Sequence, residues 1–337
     1  MNRSILLILI LSFITASCLP PCEENVAGSL PLTPVNMEYF NSEFDDYNSS
    51  TQTLGTFMPF CFSTTRTTEG DNFDIIYEPM SVSWDNTSGN ITVVNTSENW
   101  YEYEEEFGVL RNALDVINSD GNELGPYYMR NTTPNIYLYD YLFLYASDEG
   151  GNYEIGFTYN TNTPLFNDCQ YINFINSEFD DLYPCFNMDF SKIYFCSNRD
   201  NDVFNIYSVS LEKTIDQIID EFQNTESLEI SMDENLSGDY NDKCPYTYGK
   251  MMVFVSDRPG GEGGFDLYYS TYINEEWSEP VNFGPYINSA YDEYRPIIIN
   301  DGIDLNRDMM IFSSNRPGGM GGYDLYYVGV EIEWGLY

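Results

Sequence analysis

Short apolar runs rich in β-branched and aromatic residues alternate along this chain with clusters of Gly, Pro, Asn and Asp. The run Val253-Phe254-Val255 gives way to Ser256-Asp257-Arg258-Pro259-Gly260-Gly261 and resumes at Phe265-Asp266-Leu267-Tyr268. Ile311-Phe312-Ser313-Ser314-Asn315-Arg316-Pro317-Gly318-Gly319 leads in the same way to Tyr323-Asp324-Leu325-Tyr326. Two short apolar runs on either side of turn residues predict a β-hairpin. Further copies are Phe195 to Arg199 with Phe204-Asn205-Ile206-Tyr207, and Ser63 to Arg66 with Phe73-Asp74-Ile75. The copy at Leu144 to Asp148 with Tyr153-Glu154-Ile155 lacks the arginine. The one helical pattern is Lys213 to Phe222, where Ile215, Ile218, Ile219 and Phe222 share a face. It is expected to pack over the edge of the sheet beside it.

A second block precedes each hairpin. Ile117-Asn118-Ser119 is followed by Glu123 and Pro126, Ile175-Asn176-Ser177 by Asp181 and Pro184, and Ile287-Asn288-Ser289 by Glu293 and Pro296, at one common spacing. Leu236-Ser237 with Asp242 and Pro245 keeps the interval, and Phe40-Asn41-Ser42 begins a copy whose proline is read as Pro59, delayed by an insertion. A strand follows each such loop and its proline, and a further strand follows the hairpin, as in Glu276 to Gly284. Four short strands repeated every ~50–60 residues predict an all-β fold, a β-propeller. The repeat units lie near 38–116, 117–174, 175–235, 236–286 and 287–330, giving five four-stranded blades, with a divergent sixth around Trp84 to Trp100 as the alternative. Pro34-Val35-Asn36-Met37 matches Pro280-Val281-Asn282-Phe283, so the N-terminal strand is expected to complete the last blade and hide two sheet edges.

The segments Ser256 to Gly261, Phe265 to Tyr268, Trp277 to Gly284 and Ile287 to Pro296 resemble the TolB-type, WD40-like propeller repeats of bacterial envelope proteins. The resemblance is strongest over residues 236–330 and faint over 40–170. It implies the propeller fold and suggests a scaffold role in an envelope complex.

Charge narrows the choice of partner. Basic residues number 13 against 54 acidic ones, a formal charge of −41, and there is no histidine. Nucleic acid is therefore not an expected partner, since affinity for phosphate backbones comes mainly from Lys and Arg. The absence of histidine removes Ser/His/Asp and Cys/His catalysis and every His-ligated metal site. With 17% aromatic residues the chain is expected to fold despite its charge.

Residues 1–17 have the layout of a secretory signal: Arg3, an apolar stretch from Ile5 to Ile14, then Thr15-Ala16-Ser17. Cys18 follows directly, in the manner of a bacterial lipobox, although Thr15 stands where Leu, Val or Ile is usual. The expectation is a lipidated Cys18, a tether over 18–31 and a propeller domain over 32–337, in an exported outer-membrane lipoprotein facing the periplasm or the surface and touching the membrane through the lipid alone. Cys22, Cys61, Cys169, Cys185, Cys196 and Cys244 are an even set, with Cys185 and Cys196 flanking one hairpin; disulfides and buried thiols are both open readings.

Arg66, Arg199, Arg258 and Arg316 occupy one repeated position, and each is paired here with the residue at the start of the following run: Asp74, Asn205, Asp266 and Asp324. Recurrence from blade to blade suits a structural device better than an active site. The acidic loops at Asp45-Asp46, Asp180-Asp181, Asp239 with Asp242 and Asp292-Glu293 read as turn caps, and Tyr101 to Glu106 as an exposed strand face. Asp304-x-Asn306-x-Asp308 alternates like a calcium loop but lacks the following Gly and the distal Glu, so no cofactor is expected apart from calcium at this weak candidate. The leading functional expectation is a non-enzymatic, protein-binding scaffold with envelope proteins as partners. The alternative is a glycan-binding or glycan-cleaving propeller that uses carboxylates at its central channel.

Overall fold

The computed structural model describes residues 26–51, 58–96, 108–131, 140–211, 214–300 and 305–331. They form five antiparallel blades around a ring, each running from an innermost to an outermost strand. The first blade is Asp46–Ser50, Met58–Thr64, Asp74–Trp84 and Ile91–Asn95; the second is Glu123–Asn131, Asp140–Ser147, Glu154–Tyr159 and Gln170–Tyr171. The third is Asp181–Phe186, Lys192–Asp200, Val203–Ser210 and Ile230–Met232. In the fourth, Asp242–Tyr248, Met251–Ser256 and Asp266–Ile273 are edged by two short pieces, Glu276–Trp277 and Val281–Asn282, because Pro280 interrupts the pairing. The fifth is Glu293–Ile299, Asp308–Ser314 and Asp324–Val330, completed by Val35–Asn36 pairing with Tyr326 and Tyr327. The expected closure by the N-terminal strand is therefore observed. Trp84 ends a long third strand of the first blade, and no sixth sheet exists among the described residues; Trp100 and Tyr101 to Glu106 lie outside them.

Blades stack face to face, so the second strands are covered on both sides. All residues of Asp140–Ser147 and Asp308–Ser314 are buried, which explains why these strands read as continuous apolar runs and not as alternating ones. Consecutive blades are latched. The backbone N–H of Phe73, Tyr153, Phe204, Phe265 and Tyr323 donates to Asn122, Asp180, Asn241, Asp292 and Asp45 of the next blade, at 2.7–3.2 Å. The Tyr323–Asp45 latch joins the last blade to the first. Gly263 and Gly321 lie where a Cβ would sit 2.2 Å from Tyr291 O and 1.9 Å from Phe44 O, so these two glycines let the turns lie against the neighbouring loop.

Every innermost strand carries a bulge. Its register breaks between Tyr47 and Ser50, Leu124 and Tyr127, Leu182 and Cys185, Lys243 and Tyr246, and Tyr294 and Ile297. The residue at the break has positive φ in each case: Asn48, Gly125, Tyr183, Cys244 and Arg295. The prolines that follow four of these residues stand inside the strand at the bulge, not ahead of it as expected; Pro lacks an N–H to lose there. In the first blade Ser49 takes that place, and Pro59 belongs to the second strand, so no delayed proline exists.

The expected helix spans Ile215–Asn224, capped by Thr214, whose hydroxyl accepts the N–H of Gln217. Its buried Ile218, Ile219 and Phe222 pack between the second and third blades, Phe222 lying against Phe157, Phe174 and Phe186. A second helix, Val109–Ile117, was not expected; Leu110, Ala113 and Ile117 show the same periodicity and bury against Cys61, Ile75 and Tyr128. Cys61, Cys169, Cys185, Cys196 and Cys244 are free thiols, and Cys22 lies outside the described residues. Cys185 and Cys196 sit on paired strands but join different core clusters, so the flanking positions do not make a bond.

Candidate functional site

The repeated arginines fold back onto the first residue of their own innermost strand. Arg66, Arg199, Arg258 and Arg316 pair with Asp46, Asp181, Asp242 and Glu293 at 2.5, 2.5, 2.6 and 2.8 Å. This corrects the expected pairing with Asp74, Asn205, Asp266 and Asp324. Ser256 and Ser314 stand directly opposite Asp266 and Asp324 in the ladder, which puts each arginine two residues beyond them, in the turn, where its long side chain turns back across the sheet. Asp266 instead accepts the N–H groups of Glu262 and Gly263, and Asp324 those of Met320 and Gly321. Asn205 accepts the N–H of Gly238, and Asp74 faces Thr64.

Each guanidinium meets an acid, a hydroxyl, a carbonyl and an aromatic face, Arg66 using Thr64 and the Phe62 ring alone and reaching Glu78 besides. Arg316 donates to Glu293, to the Ser314 hydroxyl at 3.1 Å and to the carbonyl of Ile287 at 2.8 Å, and lies over the rings of Phe312 and Tyr326. The acid is held from its other side by the serine four residues upstream, as Ser42 holds Asp46 and Ser177 holds Asp181. The fourth blade departs from this. Ser237 is shifted one position and serves the backbone of Ile206, leaving Gly238 where the other blades have serine. Asp242 Oδ2 is buried without a partner, and burial, only partly offset by Arg258, raises its carboxyl to about 6.

Gly238→Ser is expected to restore the missing donor, since a Cβ there meets nothing within 4 Å. A buried carboxyl whose folded pKa is raised binds more protons folded than unfolded between the two values, so its contribution falls as pH rises from about 4 to about 6. Gly238→Ser should flatten that decline, gaining about 1–2 kcal/mol at pH 7 and little at pH 4. Urea midpoints of both proteins across this range test it; parallel profiles would show that Asp242 is already satisfied.

Asn306 of the calcium candidate is engaged elsewhere: its Oδ1 accepts the N–H of Leu30 and its Nδ2 donates to Ser29. Asp308 accepts from Asn300 and Tyr248, and Asp304 lies outside the described residues. Among the described residues no group of three or more Cys, Asp or Glu is placed to hold a metal, because the acids of each loop are spent on the arginine pairs and the latches.

Phe73, Tyr153, Phe204, Phe265 and Tyr323, one half-buried aromatic per blade, stand at the latch position at the start of each third strand or just ahead of it, and pack against the core that the innermost strands share. Tyr294 lies against Phe265, Tyr47 and Tyr323, with ring centroids 4.9, 5.6 and 5.9 Å away. Burial raises the Tyr294 phenol far above its usual range, and the charges of Asp292 and Asp257 push it further. Asp292 accepts the Tyr323 hydroxyl at 3.3 Å, and Lys243 sits 3.9 Å from the ring centre of Phe204. The Asp292 carboxylate also accepts the Phe265 N–H and the Asn315 amide, and Asp257 accepts both the backbone N–H and the side-chain amide of Asn241, so these half-buried acids are held in place about the aromatic floor. Below it Arg295, fully buried, plugs the ring. It donates to the carbonyls of Pro245 and Pro126 and faces the Tyr183 ring, while its Nε has no partner. None of Tyr294, Asp257 or Arg295 stood out in the sequence; the positive φ shared by the five bulges, invisible there, is what turns Arg295 inward.

No family model matches this chain, and no curated protein matches it. Among solved structures, the chain is similar to an exo-β-1,3-galactanase from Clostridium thermocellum, at 10% identity and a TM-score of 0.48 over 89% of this chain, spanning 63% of that protein. A GH62 hydrolase solved with xylotriose matches at 11% identity and a TM-score of 0.47, over 91% of this chain and 97% of the other. A putative TolB from Agrobacterium tumefaciens matches at 11% identity and a TM-score of 0.39, over 85% and 91%. These likenesses are of fold. Glycoside hydrolases are the more numerous among these structures, and the expectation of a non-enzymatic, protein-binding scaffold is corrected on that finding.

Proposed function

We propose that the protein is a glycan-active propeller whose site is the aromatic cluster about Tyr294. The observation that supports this reading is the cluster of Phe265, Tyr294 and Tyr323, with the Asp292 carboxylate accepting the Tyr323 hydroxyl at 3.3 Å beside it. A sugar ring offers an apolar C–H face to an aromatic side chain and hydroxyls to carboxylates, so the site answers both. In hydrolysis one carboxyl group would protonate the leaving oxygen while the other acts on the anomeric carbon directly or through water, according to a separation of roughly 5–5.5 or 6.5–9.5 Å. The blades that build the site carry the TolB-type repeat, which here serves as a frame. Export through residues 1–17 is part of the proposal, since polysaccharides are met outside the cytoplasm.

The test is release of reducing sugar from a polysaccharide panel by the full chain, with Asp292→Asn and Asp257→Asn compared at equal folded concentration. Asparagine keeps the oxygen that accepts the Phe265 N–H at 292 and the Asn241 N–H at 257, while proton transfer is lost, and the comparison at equal folded concentration absorbs the loss of the second acceptor oxygen. A fall of at least about 100-fold in either variant is expected. Neither binding nor cleavage across the panel, or wild-type rates in both variants, would sink the reading.

A further inference from the structure

The second blade has the arginine pocket without the arginine. Its acid, Glu123, is held as Glu293 is in the fifth blade: Oε1 accepts the hydroxyls of Ser119 and Ser147 at 2.6 and 2.9 Å, and Oε2 accepts the Ser119 N–H at 3.2 Å. Glu293 Oε1 accepts Ser289 and Ser314 at 2.6 and 3.1 Å and, in addition, Arg316 at 2.8 Å. In the second blade Glu149 stands at the arginine position, and Gly156 replaces the tyrosine found as Tyr207, Tyr268 and Tyr326. Tyr145 takes the place of Phe312, and the carbonyl of Ile117 the place of Ile287's. A cleft of about 570 Å³ lies here, its lining including Ile117, Ser119, Tyr145, Ser147, Glu149 and Cys169, and the Tyr145 ring covers Gly156, where a Cβ would sit 2.8 Å from its Cζ.

We propose that this cleft binds a guanidinium group, supplied by free arginine or by an arginine side chain of a peptide. The four other blades show how such a group is held by one carboxylate oxygen, one hydroxyl, one carbonyl and an aromatic face. Ile117, Ser147 and Tyr145 line the cleft, with Glu149 and Asp120 making it acidic, and Glu123 lies behind them, so a guanidinium reaches that carboxylate by displacing the Tyr145 ring from over Gly156. Glu123 is fully buried, burial raises its carboxyl, and no cation offsets the rise. Arg111, on the helix beside the cleft, lies over Tyr77 instead. The segments 97–107 and 132–139, next in sequence to this blade's elements, contain no Lys or Arg that could fill the cleft in cis. A planar fork of donors suits the acceptor set better than an ammonium, which offers a point charge. A hard metal ion is a poor fit, because one buried carboxylate and a ring face do not supply six to eight oxygens.

The experiment is calorimetric titration of the full chain with free arginine, with a blocked Gly-Arg-Gly peptide and with its lysine counterpart, in the millimolar range. Saturable 1:1 binding of an arginine probe is expected, at least about tenfold tighter than the lysine probe, the worth of one charge-assisted hydrogen bond. Glu149→Arg should fill the cleft from within and weaken binding by at least about tenfold. Binding of the free amino acid alone identifies a small-molecule ligand, binding of the peptide alone identifies a chain segment, and either supports the site. No saturable binding of any arginine probe, or binding that Glu149→Arg leaves unchanged, overturns it. Should that variant fail to fold, alkylation of Cys169 in the unaltered protein decides: the arginine probe protects this half-buried thiol if it occupies the cleft, and equal alkylation with and without probe refutes the proposal.

Discussion

Arg258→Met is expected to destabilise the fold by about 3 kcal/mol at pH 7.5, more than Arg316→Met does. Both arginines pair with an acid whose side chain is fully buried. Once Arg316 is gone, Glu293 still accepts three hydrogen bonds, from the Ser289 N–H and hydroxyl and the Ser314 hydroxyl. Asp242 has no serine upstream, and its Oδ2 is already an orphan, so Arg258 is the principal group that offsets its burial. Removing a partner from a buried charge costs far more than the pair contributes, because the remaining carboxylate keeps its desolvation penalty. The loss should also depend on pH in a definite direction. Below about 6 the Asp242 carboxyl of the folded protein holds a proton and needs no cation, so the defect should shrink as pH falls through that value. Adding Asp242→Asn to Arg258→Met should recover much of the loss, the amide being neutral at every pH. Urea midpoints at pH 5 and 7.5 provide the check, and a loss under about 1 kcal/mol at pH 7.5 would mean that the ion pair is replaceable by water.

Phe222→Ala is expected to cost about 3–5 kcal/mol and to lower the melting temperature by on the order of 5–10 °C. Phe222 is 2% exposed, and its ring centroid lies 5.2 Å from that of Phe157 and 6.0 Å from that of Phe174. Its helix leaves the third blade and buries Phe222 partly against the second, so truncation opens a cavity at the joint between two blades. Ile215→Ala, on the same helix at a partly buried position, should cost about 1 kcal/mol, which separates a packing effect from a loss of helix. Differential scanning calorimetry of the two variants tests this. Equal small losses would mean that the helix is peripheral to the ring.

How far the sequence could be read follows from what repeats and what does not. The common spacing of Asn-Ser, acid and proline, and the paired apolar runs around each turn, determined five blades of four strands. The match of Val35-Asn36 to Val281-Asn282 determined how the ring closes, because an unpaired edge must find its missing strand. The helix at Ile215–Asn224 was legible from its spacing; Val109–Ile117 carries the same spacing at Leu110, Ala113, Leu114 and Ile117 and was equally legible. Partners across the sheet were not legible. An arginine and an aspartate eight residues apart look like a pair, yet ladder register puts the arginine in the turn and its side chain on the innermost strand, sixteen residues upstream for Arg258 and Asp242. Departures from the repeat carry meaning only once the pocket they alter is seen. Glu149 and Gly156 are single changes in a line of letters, but they fall together beside a cleft at the place where each other blade holds an arginine against its buried acid. The plug at Arg295 depends on a bulge at a residue of positive φ, and backbone conformation of that kind is fixed by the closing of the ring and not by local preference.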